Sequence, residues 1–152
     1  MNQNDPRYAA YLRILAEELV PAMGCTEPIS ISFCAAKARE LLGTLPEAIT
    51  VAASGNIIKN VKSVVVPNTG GRKGIETAAA VGVVAGDPNR ELEVIASVTT
   101  EQREALGHYL ETTPIQVLPA DTDLVLDVTV TVQGSGHTAS VRVANQHTNI
   151  VS

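Results

Sequence analysis

Three groups in this chain have residue types and spacings that could do chemistry: a thiol before a helix, a glycine-rich turn with two cations, and a histidine beside a hydroxyl and an amide. Cys25 closes the stretch Pro21-Ala22-Met23-Gly24-Cys25 and is followed by Thr26, a good helix cap. At a helix N-terminus the positive end of the dipole lowers a thiol's pKa, which suits a nucleophile, a metal ligand or an acid–base group. The plainer alternative is a turn cysteine with no task. Cys34 follows nine positions later. At about 100° per residue the two thiols project to opposite sides of one helix. Cys34 also falls in that helix's apolar stripe with Ile31, Ala35, Ala38, Leu41 and Leu42, so it reads as a small core residue.

In Asn68-Thr69-Gly70-Gly71-Arg72-Lys73-Gly74, the glycines let backbone N–H groups approach an anion and the two cations add charge. The G-x-x-x-x-G-K-[ST] spacing of a P-loop is absent, so a carboxylate or small phosphate fits better than a nucleotide; a plain turn before a helix is the competing reading. Ser54-Gly55-Asn56 with Lys59 and Asn60 supplies amides and an ammonium of the kind that hold an amino acid. His147-Thr148-Asn149 offers a candidate general base. His108 and His137 stand at no metal-binding spacing, and no G-x-S-x-G elbow is present.

The elements that must position these groups follow from periodicity. Apolar residues Tyr8, Tyr11, Leu12, Leu15 and Leu19 predict a helix over residues 5–20, ending before Pro21. A second helix is expected with Thr26 as its cap, Pro28 among its early residues, an apolar stripe to Leu42 and Gly43 as its stop. Residues 48–54 read as a strand, 55–60 as a turn or short helix, and 64–66 as a short strand. Helices are expected over 75–85 and 91–96, and a third starts at the capping box Thr99-x-x-Gln102. Strands are expected over 115–119, 124–132, 138–144 and 147–151, with a hairpin at Gly134-Ser135-Gly136. Helices first, mixed elements next and an antiparallel meander last make an α+β single domain over residues 1–152.

Composition narrows the class. The chain has 152 residues, 11 Lys+Arg against 16 Asp+Glu, a net charge of −5, 45% hydrophobic residues and 3% aromatics. An acidic chain with so few rings lacks both the basic surface and the stacking platforms that nucleic acid requires. No apolar run approaches the roughly 20 residues of a membrane span. The polar N-terminus has no signal-peptide pattern, and two cysteines make no disulfide framework, so a reducing cytoplasm is expected.

Four segments, in order, resemble those of one family. Pro21–Pro28, with Gly24-Cys25-Thr26-Glu27-Pro28 at its end, looks like the GCTEP signature of the L-cysteine desulfidase family, which includes the UPF0597 proteins and is related to iron–sulfur L-serine dehydratases. Ser54–Asn60 is similar to the family's S-x-N-x-x-K-N segment, Val66–Gly70 to its V-P-x-T-G turn, and His147–Ile150 to its H-T-N-I strand. The likeness runs from about Leu12 to the last residue and covers only the N-terminal portion of family members.

The resemblance implies α,β-elimination from L-cysteine, giving pyruvate, ammonia and sulfide, or from L-serine, giving pyruvate and ammonia. It implies a [4Fe–4S] cluster in the complete enzyme and no pyridoxal phosphate. Two cysteines on opposite sides of a helix cannot hold a cubane, so none is expected on this chain alone. The further ligands would come from a C-terminal half or subunit. Cys25 would then be a cluster ligand or an acid–base thiolate, two roles that the sequence leaves open, and His147 would be the other catalytic group. Glu27, Asn56, Lys59, Asn60, Asn68, Thr69, Gly70 and Asn149 would bind the substrate. An alternative is a non-catalytic module that binds an amino acid or small anion. The partners expected are an amino acid, the cluster-bearing half and, through a free strand edge, a second copy.

Overall fold

Alternation of buried and half-buried residues builds the sheet. In the strand Leu126–Gly134 (β4) Val128, Val130 and Val132 are buried, and in His137–Asn145 (β5) so are Ala139, Val141 and Val143. Thr129, Thr131, Ser140 and Arg142 fall on the other face, as a period of two requires. Ser135 and Gly136, at φ 53° and 79°, turn β4 into β5. Positive φ at both positions marks the type I′ turn, whose twist matches that of a hairpin. This architecture comes from a computed structural model that describes residues 9–15, 26–66, 68–87, 89, 95–96, 98–120 and 126–145.

The remaining strands are Ala9–Leu15 (β1), Ala48–Ala53 (β2) and Ile115–Pro119 (β3), and the sheet order is β1-β5-β4-β2-β3. β4 pairs antiparallel with β5 and β2, whereas β1 runs parallel to β5 and β3 parallel to β2. The helices are Thr26–Leu42 (α1), Gly55–Val61 (α2), Ile75–Ala85 (α3) and Thr100–Thr112 (α4). α1 lies over β4 and β5, α3 packs on α1, and α4 packs on α3. The fold is α+β.

With no Trp and one Phe, the core is built from small aliphatic side chains, and the helices approach closely. A Cβ built on Gly82 of α3 would lie 2.3 Å from the Ser32 carbonyl oxygen and 2.9 Å from the Ala35 Cβ of α1. The buried Ser32 hydroxyl donates to the Ala78 carbonyl at 2.7 Å, so it is not left unsatisfied. Arg39 donates to the Val83 carbonyl in the last turn of α3, where a cation offsets the helix dipole. The capping box of α4 is formed: Gln102 N–H donates to Thr99 Oγ1 at 3.1 Å, and Thr99 N–H to Gln102 Oε1 at 2.9 Å.

Two expectations change. Residues 9–15, expected in a helix over 5–20, form β1, with Leu12 and Ile14 in register with Val141 and Val143. Ala10, Leu12 and Ile14 also alternate, so the string satisfies both periods, and pairing with β5 decides between them. Of residues 64–66, only Val65 makes a strand-like bridge, to Lys73. The chain turns back within a few residues and leaves no length for a ladder. The expected helix over 91–96 falls mostly, and the strand over 147–151 entirely, outside the described residues. No helix among the described residues is long and apolar enough to cross a membrane.

Candidate functional site

β2 hands over directly to α2. Ser54 N–H donates to the Asp127 carbonyl on β4 at 2.8 Å, and Ile58 N–H to the Ser54 carbonyl at 3.0 Å. Asp127 is itself fixed, because Arg142 of β5 grips its buried carboxylate with two bonds, Nε to Oδ1 at 2.9 Å and Nη2 to Oδ2 at 2.5 Å. Such a fork sets orientation as well as attraction. The start of α2 is therefore tied to the sheet.

Ile57 and Val61 are the buried side of α2. At about 100° per residue, Asn56, Asn60 and Lys59 occupy one exposed flank, and Ile58 with Lys62 the other. The chain then returns at once: Gly74 N–H donates to the Val64 carbonyl at 3.2 Å and Val66 N–H to the Arg72 carbonyl at 2.9 Å. These bonds close the glycine-rich turn into a hairpin that follows α2.

Within the turn, Asn68 (φ 63°), Gly70 (φ 76°) and Gly71 (φ 87°) adopt left-handed backbone. Thr69 is buried, and its hydroxyl donates to the Val66 carbonyl at 2.7 Å. Asn68 Nδ2 donates to the Ile95 carbonyl at 2.9 Å. Both side chains thus shape the turn, while Gly70 and Gly71 are exposed with open space beside them. Arg72 lies against α4, where a Cβ on Gly107 would come within 2.6 Å of its Nη2.

A hollow of about 250 Å³ opens on the second flank of α2, lined by Ile58 and Lys62, by Ile75 and Glu76 of α3, and by Val117 of β3. Ile58, Ile75 and Val117 make it apolar; Lys62 and Glu76 supply opposite charges. A larger hollow of about 460 Å³, at Ala48–Thr50, Pro114–Gln116 and Gln133, is lined by no charged side chain.

Cys34 is fully buried, and its Sγ donates to the Val141 carbonyl at 2.8 Å. Burial pushes its thiol up to about 12, and burial also pushes Tyr109, whose hydroxyl donates to the Pro46 carbonyl at 2.7 Å, up to about 12. Both groups are neutral in the folded chain at neutral pH. Unfolding releases them to about 8.5 and 10, so the unfolded state loses these protons first as pH rises. Stability should hold below about pH 8.5 and then fall toward pH 12, by at most about 1.4 kcal/mol per pH unit for each group. Denaturant melts between pH 7 and 11 check this, and Cys34→Ala should flatten the first part of the decline.

The chain is similar over nearly its whole length to much longer proteins. It is 50% identical over 151 residues to a UPF0597 protein of Desulfitobacterium hafniense, covering 99% of this chain and 35% of that protein. The UPF0597 protein of Treponema denticola is 44% identical over 99% of this chain and 35% of its own length. That of Finegoldia magna is 49% identical over 93% of this chain and 34% of its own. The chain belongs to the UPF0597 family. It spans about a third of the length of the relatives it matches. No family model and no solved structure matches it.

In this UPF0597 chain the family-like segment 54–60 leads into and forms most of α2, and the segment 66–70 lies in the turn closed by the pairing of Val64–Val66 with Arg72–Gly74. Asn56, Lys59, Asn60 and Gly70 are exposed, whereas Asn68 and Thr69 are engaged in the turn. Cys25, His147 and Asn149 lie outside the described residues, and Glu27 is placed only by its backbone, as the second residue of α1. Lys62 and Glu76 escaped sequence reading because they sit in no motif. The available signal was slight: Lys62 is four residues after Ile58, and Glu76 is the second residue of α3. Among the described residues no group of three or more His, Cys, Asp or Glu could hold a metal ion.

Proposed function

We propose that this chain is the N-terminal, substrate-holding part of an iron–sulfur-dependent lyase that carries out α,β-elimination on L-cysteine or L-serine. The observation that carries the reading is the glycine-rich turn, closed as a hairpin directly after α2. Two segments similar to family motifs, 54–60 and 66–70, follow one another closely in the chain, and the Val64–Gly74 and Val66–Arg72 bonds close the return that carries the second of them. Beside it a hollow lined by Ile58, Lys62, Ile75, Glu76 and Val117 offers what an amino acid requires: an ammonium for its carboxylate, a carboxylate for its ammonium, and small apolar walls for a short side chain. The task of these residues is to hold and orient the substrate.

The donors among the described residues do not fit an iron–sulfur cluster. Cluster iron takes thiolates, and Cys34 is a buried thiol whose pKa is raised to about 12 and whose Sγ is bonded to a carbonyl. In this reading Cys25 and His147 are the chemically active side chains of the chain, Asn149 lines the same pocket, and the cluster's other ligands belong to the two-thirds of the longer relatives that this chain does not span.

The test uses a full-length relative, the Desulfitobacterium hafniense protein, purified and reconstituted with iron and sulfide under anaerobic conditions. Sulfide and pyruvate should appear from L-cysteine, or pyruvate and ammonia from L-serine. Neither product from either amino acid would overturn the lyase reading. Stabilisation by the amino acid without turnover would instead favour a binding module.

A further inference from the structure

We infer that the hollow between α2, the first turn of α3 and β3 receives the zwitterionic head group of an α-amino acid, with Lys62 on the carboxylate and Glu76 on the ammonium. The inference rests on the reading of this chain as an amino-acid-handling part. It moves the contact from the Asn56, Lys59 and Asn60 flank of α2 to the opposite one.

Size and chemistry both select the ligand. Pockets for drug-sized molecules run to roughly 300–1,000 Å³, and about 250 Å³ suits a head group with a short side chain. Ile58, Ile75 and Val117 can cover a side chain of one or two heavy atoms but offer it no hydrogen bond. The two charged residues, Lys62 and Glu76, line the same hollow. Gly74, just before Ile75 and Glu76, has φ 95°, a backbone that L side chains rarely adopt.

Neither charge is committed elsewhere. Among the described residues, the Lys62 ammonium and the Glu76 carboxylate have no hydrogen bond and no ion pair. A ligand with one negative and one positive group satisfies both, whereas an inorganic anion would meet Lys62 but be repelled by Glu76. The hollow meets the sheet at Val117 of β3, in register with Val51 of β2.

The experiment titrates L-serine into the 15N-labelled 152-residue chain and follows backbone amides by NMR. Saturable shifts should cluster at Ile58, Lys62, Gly74, Glu76 and Val117. 3-Hydroxypropionate, which lacks the ammonium, and ethanolamine, which lacks the carboxylate, should shift them little. Lys62→Met and Glu76→Gln, both at exposed positions, should each weaken L-serine binding at least tenfold while the rest of the spectrum stays folded. Lys37→Met, on α1 beside Glu40, should bind as the parent does. Shifts centred on Asn56, Lys59, Asn60 and Gly70 would refute the hollow and leave the lyase reading standing. The absence of any saturable shift would also refute the hollow as a site. Failure of the full-length relative to form product, with binding at Lys62 and Glu76 intact, would remove the lyase reading but not the site.

Discussion

Gly82→Ala should lower the melting temperature of the chain by about 6–12 °C, corresponding to about 3 kcal/mol at 2–4 °C per kcal/mol for a chain of this size. Alanine normally improves a helix interior over glycine by about 1 kcal/mol, so intrinsic propensity predicts the opposite sign. Packing overrides it here. The new methyl carbon would lie 2.3 Å from the Ser32 carbonyl oxygen, a backbone atom of α1 that cannot step aside, and 2.9 Å from Ala35 Cβ. α1 and α3 must separate, which loosens contacts around Ala78 and Val81, both fully buried. Gly107→Ala is the matched comparison. There the neighbour is the mobile tip of Arg72 at 2.6 Å, which can swing away, so the helix gain should dominate and stability should hold or rise slightly. Equal behaviour of the two variants in thermal melts would show that the α1–α3 spacing is not set by Gly82.

In a full-length relative, the counterpart of Cys25→Ala should lower turnover of L-cysteine or L-serine at least about a thousandfold, whether the thiol is an acid–base group or a cluster ligand. The counterpart of Cys34→Ala should leave turnover within a few-fold. The contrast follows from the lyase reading together with the burial of Cys34, whose thiol is 0% exposed and bonded to the Val141 carbonyl. Iron content separates the two roles of Cys25: loss of iron with activity marks a ligand, and retention of iron with loss of activity marks an acid–base group. Equal losses of activity in the two variants would remove the argument that the thiols face opposite ways.

Elements set by local chemistry were legible in the sequence. α3 has the expected bounds, Ile75–Ala85, and α1 ends as expected at Leu42 while beginning at Thr26, the residue expected as its cap, because an apolar stripe or a run of Ala and Val is closed by Gly43, Gly74 or Gly86. The Thr99–Gln102 box and the Ser135-Gly136 turn were readable from a few residues each. The burial of Cys34 followed from its place in the stripe. What depended on distant partners was not legible. Residues 9–15 fit two periods, and only the edge of β5 selects the strand. The parallel pairing of Ile49 with Ile115 joins residues far apart in sequence, and no local pattern announces it. The site divides in the same way. The glycine-rich turn was visible as composition, but the convergence of Lys62 and Glu76 on one hollow arises only when the return after α2 is bonded to Val64 and Val66.

The pairing of β2 with β3 also bears on how the molecule is made. The β4–β5 hairpin is local and can form within microseconds of its synthesis. The β2–β3 ladder joins two strands separated by all the chain between Ala53 and Ile115. Non-local closures of this kind slow folding. The hollow inferred to seat an amino acid takes its lining from α2, α3 and β3, so on that inference the seat is complete only once this ladder has closed.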